Sequence, residues 1–342
     1  MKRVSVIVPC RNERRYIEGF CAGVLRQQLP PDWSLQLVIA DGQSDDGTRE
    51  LLKELAAIDP RVTWIANPQR IVSSGLNRAL ARADGDVIVR MDVHTEYADD
   101  YIAQCIAALE SSGADNVGGP WCAEPDADGG PMQHAVAAAF QSRWVAGGAR
   151  SRDLEHDGWV DTVYLGCWPR ATFERFGHFD EHLVRNQDDE HNLRIVRGGG
   201  RVWQSSSIRS VYRPRASLGP LFRQYLQYGY WKPFVMKKHR QPASLRHLVP
   251  GLFVALVALF GLLALAGGPV WPVRLLLQLY GAALVALTLM VAADERPPFD
   301  VLWRVPLVIA AYHLGYGIGS LLGWWDVLRH GRGRERFSSL TR

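Results

Sequence analysis

The sequence predicts an α/β domain on a Rossmann-like, largely parallel sheet, followed by a C-terminal region of hydrophobic helices. Three observations predict it. Short, continuously apolar, β-branched runs alternate with polar turns and helical patterns over the first ninety residues, as strands do when crossover helices bury both of their faces. Clusters of polar residues follow three of those runs. The composition then changes after Arg209: acidic residues are absent from residue 191 to 293, and long apolar segments begin.

The first strand is expected at residues 4–8, the second at 35–40, the third at 63–66 and the fourth at 86–91, with a helix over 74–83 between the last two. In such sheets ligands bind outside the carboxyl ends of the strands. Residues 9–13, 41–48 and 92–94 fall there, so three strand ends converge on one crevice. Residues 116–209 are less regular, with glycine-rich turns, two aromatic segments and the acidic run Asp188, Asp189, Glu190. They read as an acceptor-side subdomain.

At 342 residues the chain is long enough for a substantial core and an appendage. Its net charge of +4 conceals a division: 22 basic against 30 acidic residues up to residue 208, and 17 against 5 after it. The five cysteines show no CxxC or Cys/His spacing, which suits free thiols in a reducing compartment and argues against a zinc site. The apolar run at the N-terminus is too short for a signal peptide, so the first domain is expected to stay in the cytosol.

Residues 221–236 mix Leu, Phe, Tyr and Trp with basic side chains, as a helix lying among lipid headgroups does; an ordinary amphipathic connector is the alternative. Apolar segments follow at about 249–266, 275–293 and 305–325, each near the ~20 residues that span a bilayer core. The third holds Tyr312, His313, Tyr316 and several glycines, and reads as spanning, re-entrant or interfacial. Basic residues ahead of the first segment place that flank in the cytosol. Three full spans would leave Arg329, Arg332, Arg334, Arg336 and Arg342 outside, which the same rule disfavours. The expected divisions are a catalytic domain at 1–212, a basic interfacial segment at 213–247, two to three membrane helices at 248–326 and a basic tail at 327–342.

A nucleotide-diphosphate donor needs partners for its base, its ribose and its phosphates. Asp41, at the second strand end, is a carboxylate suited to a uracil N–H or ribose hydroxyls, Gly42 and Gly47 permit close backbone approach, and Arg11 and Glu13 can flank the same nucleotide. Taken alone, 41–48 is also a good turn and helix start, capped by Asp46 or Ser44. Asp92 and His94 share one face of an extended segment, where carboxylate and imidazole can hold Mg²⁺ or Mn²⁺ against a diphosphate; backbone hydrogen bonding is the plainer alternative. Asp188, Asp189 and Glu190 crowd together, as suits a general base whose affinity for protons must rise. The same run suits the first turn of a helix over 191–196.

In order and separation, Val-Ser-Val-Ile-Val-Pro-Cys-Arg-Asn-Glu, Ile-Ala-Asp-Gly-Gln-Ser-Asp-Asp-Gly-Thr, Ser-Ser-Gly-Leu-Asn-Arg-Ala-Leu followed by Gly-Asp-Val-Ile-Val-Arg-Met-Asp-Val-His, and Asn-Gln-Asp-Asp-Glu-His-Asn-Leu-Arg resemble the inverting GT-A-fold glycosyltransferases of family 2 over residues 4–210. Within that family the chain most resembles the succinoglycan-biosynthesis glucosyltransferase group. The resemblance implies a GT-A domain with membrane helices and a divalent metal, Mg²⁺ or Mn²⁺. It also implies a nucleotide-sugar donor, UDP-glucose in the first instance, and a polyprenyl-diphosphate-linked saccharide acceptor at the cytoplasmic face of a bacterial inner membrane, in exopolysaccharide biosynthesis. Pro9, Arg11, Glu13 and Asp41 would line the nucleotide pocket, Asp92 would meet diphosphate and metal, and His94 would replace the usual second aspartate of the metal site. Asp188 would be the base, with Asp189 the alternative if the register slips by one; Gln187 stands where glutamate is common.

Residues 224–231 lack the arginine of the Gln-x-x-Arg-Trp motif of processive relatives, so one sugar per encounter is expected. The basic stretch 223–240 is expected to hold the acceptor's pyrophosphate at the membrane surface. A catalytically inactive membrane scaffold is the competing function, kept open by Gln187. The apolar segments carry too few ionisable groups for a transporter path. A nucleotidyltransferase would need neither an acidic base at Asp188 nor an anchor, and no nucleic-acid partner is expected.

Overall fold

The computed structural model describes residues 1–145, 147–241, 244–331, 333 and 337. Arg332, Arg334, Arg336 and Arg342 of the expected basic tail lie outside the described residues. The chain divides into two compact units, one of Met1–Cys122 with Arg150–Tyr212, the other of Ala123–Ala149 with Arg213–Arg342. Residues 123–149, placed by sequence within the first domain, thus group with the C-terminal helices.

The elements begin with β1 (Lys2–Cys10), α1 (Ile17–Leu25), β2 (Trp33–Asp41), α2 (Thr48–Ile58), β3 (Val62–Ala66), α3 (Val72–Arg82), β4 (Val87–Arg90), β5 (Thr95–Tyr97), α4 (Tyr101–Ser112) and β6 (Asn116–Gly119). Next come β7 (Cys122–Ala123), α5 (Pro131–Gln141), β8 (Gly158–Val160), β9 (Tyr164–Pro169), α6 (Arg170–Phe176), α7 (Gln187–Arg197), β10 (Val202–Gln204) and β11 (Ser210–Tyr212). The chain ends in α8 (Leu218–His239), α9 (Val249–Leu265), α10 (Trp271–Glu295), α11 (Phe299–Leu302) and α12 (Val305–Arg329).

The main sheet of the first unit has the order β3-β2-β1-β4-β9-β6-β10-β8. Its first four strands are parallel, while β9 runs antiparallel to both β4 and β6. Alternation along β1 builds two cores: Val4, Val6 and Val8 join Ile17, Cys21, Ile102 and Cys105 on one face, and Ile7 joins Leu76, Ala79, Trp168 and Phe173 on the other. Sandwiching the strands between helices explains why they read as continuous apolar runs. It also leaves their carboxyl ends as the open edge. The register pairs Cys10 with Asp41 and Ile7 with Arg90, so the polar residues after β1, β2 and β4 stand side by side.

In the second unit α8 and α12 run side by side in the same direction. A Cβ on Gly315 would meet the Phe222 carbonyl, one on Gly319 the Leu226 carbonyl and one on Gly323 the Tyr230 carbonyl. Glycine at every fourth position lets the two backbones touch, a packing common among membrane helices. Tyr230 Oη donates to the buried Asp326 at 2.8 Å, and Tyr312 Oη donates to the Val136 carbonyl of α5 at 3.3 Å. By length and composition three helical stretches are apolar enough to cross a membrane: Leu245–Leu265, Trp271–Glu295 and Phe299–Arg329. They differ in exposure. Within the apolar 18-residue stretch of each, 6% of the residues are buried in the first two, against 44% in the third.

Candidate active site

The first two strand ends are stitched into one surface. Asn12 and Asp45 exchange hydrogen bonds, Nδ2 to Oδ1 at 2.9 Å and N–H to Oδ1 at 3.1 Å, and Glu13 N–H donates to Thr48 Oγ1 at 2.8 Å. The residue capping α2 is Gly47, whose φ of 91° favours glycine; Asp46 accepts the Thr48 N–H from one residue earlier. Arg11 lies against Gly42, where a Cβ would sit 3.3 Å from its side chain, and Pro9 packs near Gly75 of α3. Asp41 is fully buried: it accepts from Ser44 N–H and Oγ, and Arg49 Nε lies 3.1 Å away. Its carboxylate therefore organises the 42–48 loop from beneath.

Glu13 and His94 pair beyond the ends of β1 and β4, Oε1 to Nε2 at 2.7 Å, with the Tyr16 ring at right angles to the imidazole. Asp92 follows β4. Its backbone N–H donates to Tyr97 Oη at 2.7 Å, and its carboxylate takes a two-point contact from Arg90, Nε to Oδ1 at 3.0 Å and Nη2 to Oδ2 at 2.9 Å. The remaining corner of the same guanidinium, Nη1, reaches Asp188 Oδ2 at 3.4 Å. Residues almost a hundred positions apart are joined through one side chain. Burial opposes the charge on Arg90, but Asp92 and Asp188 outweigh it and hold the group firmly protonated. Burial, then Asp92, likewise keeps the Tyr97 phenol protonated.

Asp188 stands in the first turn of α7, where partial positive charge favours carboxylates; its Oδ1 accepts the Asp189 N–H at 2.8 Å. The helix is fixed from behind. His191 Nε2 lies 3.0 Å from the Gly177 carbonyl, its ring packed against Phe173 and Phe179. Asn192 accepts from Asn116 and donates to Thr162. Glu190 is fully buried and paired with Arg194 at 2.7 Å. Of the three acids, Glu190 is thus committed to structure, whereas Asp188 has 36% of its side chain exposed.

The structure therefore joins Asp92 to Asp188 through Arg90, and Glu13 to His94, at the strand ends of the first unit, with Asp41 beneath the 42–48 loop. Arg90, Tyr97 and Tyr164, whose hydroxyl pairs with Thr95 Oγ1 at 2.9 Å, were not singled out by sequence. Arg90 carried a signal all the same: a charge inside an otherwise apolar buried strand needs a partner.

Among the described residues no three His, Cys, Asp or Glu side chains form a protein-only metal cage. The donor chemistry nevertheless fits Mg²⁺ or Mn²⁺, ions commonly held by one or two protein ligands together with substrate phosphates and water. Asp92 is 30% exposed and its carboxylate has lone pairs beyond those that Arg90 engages, while His94, 43% exposed, has its Nε2 on Glu13 Oε1.

The family description Glycosyl transferase family 2 matches residues 5–168. The chain is 34% identical over 325 residues to the succinoglycan biosynthesis protein ExoA of Rhizobium meliloti (strain 1021), covering 94% of each chain. It is 24% identical over 246 residues to a dolichyl N-acetyl-alpha-D-glucosaminyl phosphate 3-beta-D-2,3-diacetamido-2,3-dideoxy-beta-D-glucuronosyltransferase of Methanococcus voltae, covering 70% of this chain and 75% of that one. Among solved structures, the mannosyltransferase PcManGT of Pyrobaculum calidifontis, in complex with GDP-Man and Mn²⁺, has a similar fold: TM-score 0.59, 20% identity, 95% of this chain and 88% of that one.

Proposed function

We propose a specific transfer reaction for this chain, which belongs to glycosyl transferase family 2. The protein is a membrane-associated glycosyltransferase of glycan biosynthesis. In our reading it moves glucose, with inversion, from UDP-glucose to a polyprenyl-diphosphate-linked saccharide during assembly of a bacterial exopolysaccharide. The observation that carries this reading is the joining of Asp92, at a strand end suited to a diphosphate, to Asp188, at a helix start suited to a base, through the one side chain of Arg90. The similarity to a succinoglycan biosynthesis protein over nearly the whole chain supports the pathway class.

Asp188 removes the proton from the acceptor hydroxyl as that oxygen attacks the anomeric carbon from the face opposite the leaving group. The new carbon–oxygen bond forms as the bond to the diphosphate breaks, and the electron pair departs with the diphosphate. Asp189 is the alternative base. Glu13, Arg11, Pro9 and Asp41 shape the nucleotide site, and Asp92 with His94 would hold a divalent metal. Such an ion, when bound, neutralises charge on the leaving diphosphate.

We further propose that α9 and α10 form the inserted hairpin, since lipid must cover what protein does not, while α12 stays against α8. Two spans return the basic tail to the side of the basic flank, as the positive-inside rule favours. That side is the cytoplasm of an inner membrane in this reading.

Incubating membranes holding the full chain with labelled UDP-glucose, GDP-mannose or UDP-N-acetylglucosamine tests the proposal. Label from UDP-glucose entering a lipid-linked saccharide in inverted β-linkage is expected. Transfer from another donor would overturn the sugar assignment, and retained configuration would overturn the mechanism.

A further inference from the structure

We propose that Arg90 is a positioning residue that registers the catalytic base against the diphosphate site; the inference rests on the assignment of Asp188 and Asp92 above. Its side chain is only 7% exposed, yet both of its acidic partners are partly exposed, Asp92 at 30% and Asp188 at 36%. One edge of the planar fork grips Asp92 at two points and the far corner reaches Asp188. Arginine presents five donors in one rigid planar fork, whereas a lysine could neutralise charge here but could not fix two carboxylates relative to each other.

A purely structural role explains the arrangement less well. Burying an ion pair is often no more stabilising than burying apolar side chains of similar volume, and the neighbours of Arg90 in β4 are Val87, Ile88 and Val89, all buried. A fourth aliphatic residue would suit that strand. The charge instead ties the end of β4 to the start of α7, which no β-sheet ladder joins. The acceptor oxygen must lie between the base and the anomeric carbon, and the diphosphate fixes that carbon. Setting Asp188 against Asp92 therefore sets the line of attack.

The test is a double-mutant cycle on the full chain in membranes, using UDP-glucose or the nucleotide sugar that the wild type turns over, with Arg90→Lys, Asp188→Asn and the pair. Arg90→Gln is carried in parallel in case Arg90→Lys does not fold. Arg90→Lys is expected to lower kcat about 100-fold, the scale of a misplacement near 1 Å, while donor KM stays within about 2-fold. Because Arg90 acts through Asp188, adding Arg90→Lys to Asp188→Asn should slow transfer by no more than about 2-fold. Losses that multiply in the double variant would overturn the proposal, as would a wild-type kcat in both folded Arg90 variants alongside an inactive Asp188→Asn. A wild-type kcat in Asp188→Asn would instead overturn the base assignment, and this inference with it.

Discussion

At the scale of single residues, the chemistry depends on which carboxylates are spent on structure and which are left to substrate. Glu190 is spent on Arg194, while Asp188 keeps an open side and Asp92 faces both Arg90 and the crevice. Asp41 belongs to both groups, because its buried oxygens hold the loop proposed to meet the nucleotide. Asp41→Asn exchanges charged hydrogen bonds, each contributing about 1.5–3 kcal/mol, for weaker ones. Donor KM should therefore rise at least about tenfold, with a smaller effect on kcat; steady-state kinetics with varied donor decide it, and an unchanged KM would remove Asp41 from the nucleotide site. The placement of Asp41 and Asp92 at strand ends was legible because each directly follows an apolar run. Arg90 was not, since its partner Asp188 lies 98 positions away and only the fold brings it near.

At the scale of elements, α7 carries the proposed base Asp188, and its anchor is pH-sensitive. Burial, assisted by nearby Arg194, pushes the His191 imidazole down to about 4, against about 6.5 unperturbed. Between those values the unfolded chain binds a proton that the folded chain refuses. Stability is therefore complete above about pH 6.5 and falls as pH drops towards 4, by a few kcal/mol at most. The Tm of the detergent-solubilised protein should fall over that window, and the fall should be shallower in His191→Phe, whose ring suits the aromatic cluster. An identical pH profile in both would contradict the role. The helix was anticipated over 191–196 with the acidic run as its first turn, and the structure begins it at Gln187, after Asn186 at φ 61°.

At the scale of the whole chain, sequence separated an acidic α/β part from a basic, apolar helical part, and the parallel pairing of the first four strands agrees with their apolar runs, whereas their spatial order was not read from it. The grouping of residues 123–149 with the helices was not legible, because contacts such as Tyr312 to Val136 join positions far apart. Nor was the covering of α12, since glycines at every fourth position state that a close neighbour exists without naming α8. If α9 and α10 alone cross the bilayer, a cysteine replacing Gly268 should react with an impermeant maleimide added outside intact cells, whereas one replacing Arg329 should react only after lysis. Outside labelling of both would establish three spans. The central claim, that Asp188 deprotonates the acceptor in a crevice shared with the donor diphosphate, is tested most directly by single-turnover transfer of label from UDP-glucose to lipid-linked saccharide by the wild type and Asp188→Asn. The account predicts transfer by the wild type and a loss of at least about 100-fold in the variant, with donor binding retained; equal rates in the two proteins would contradict it.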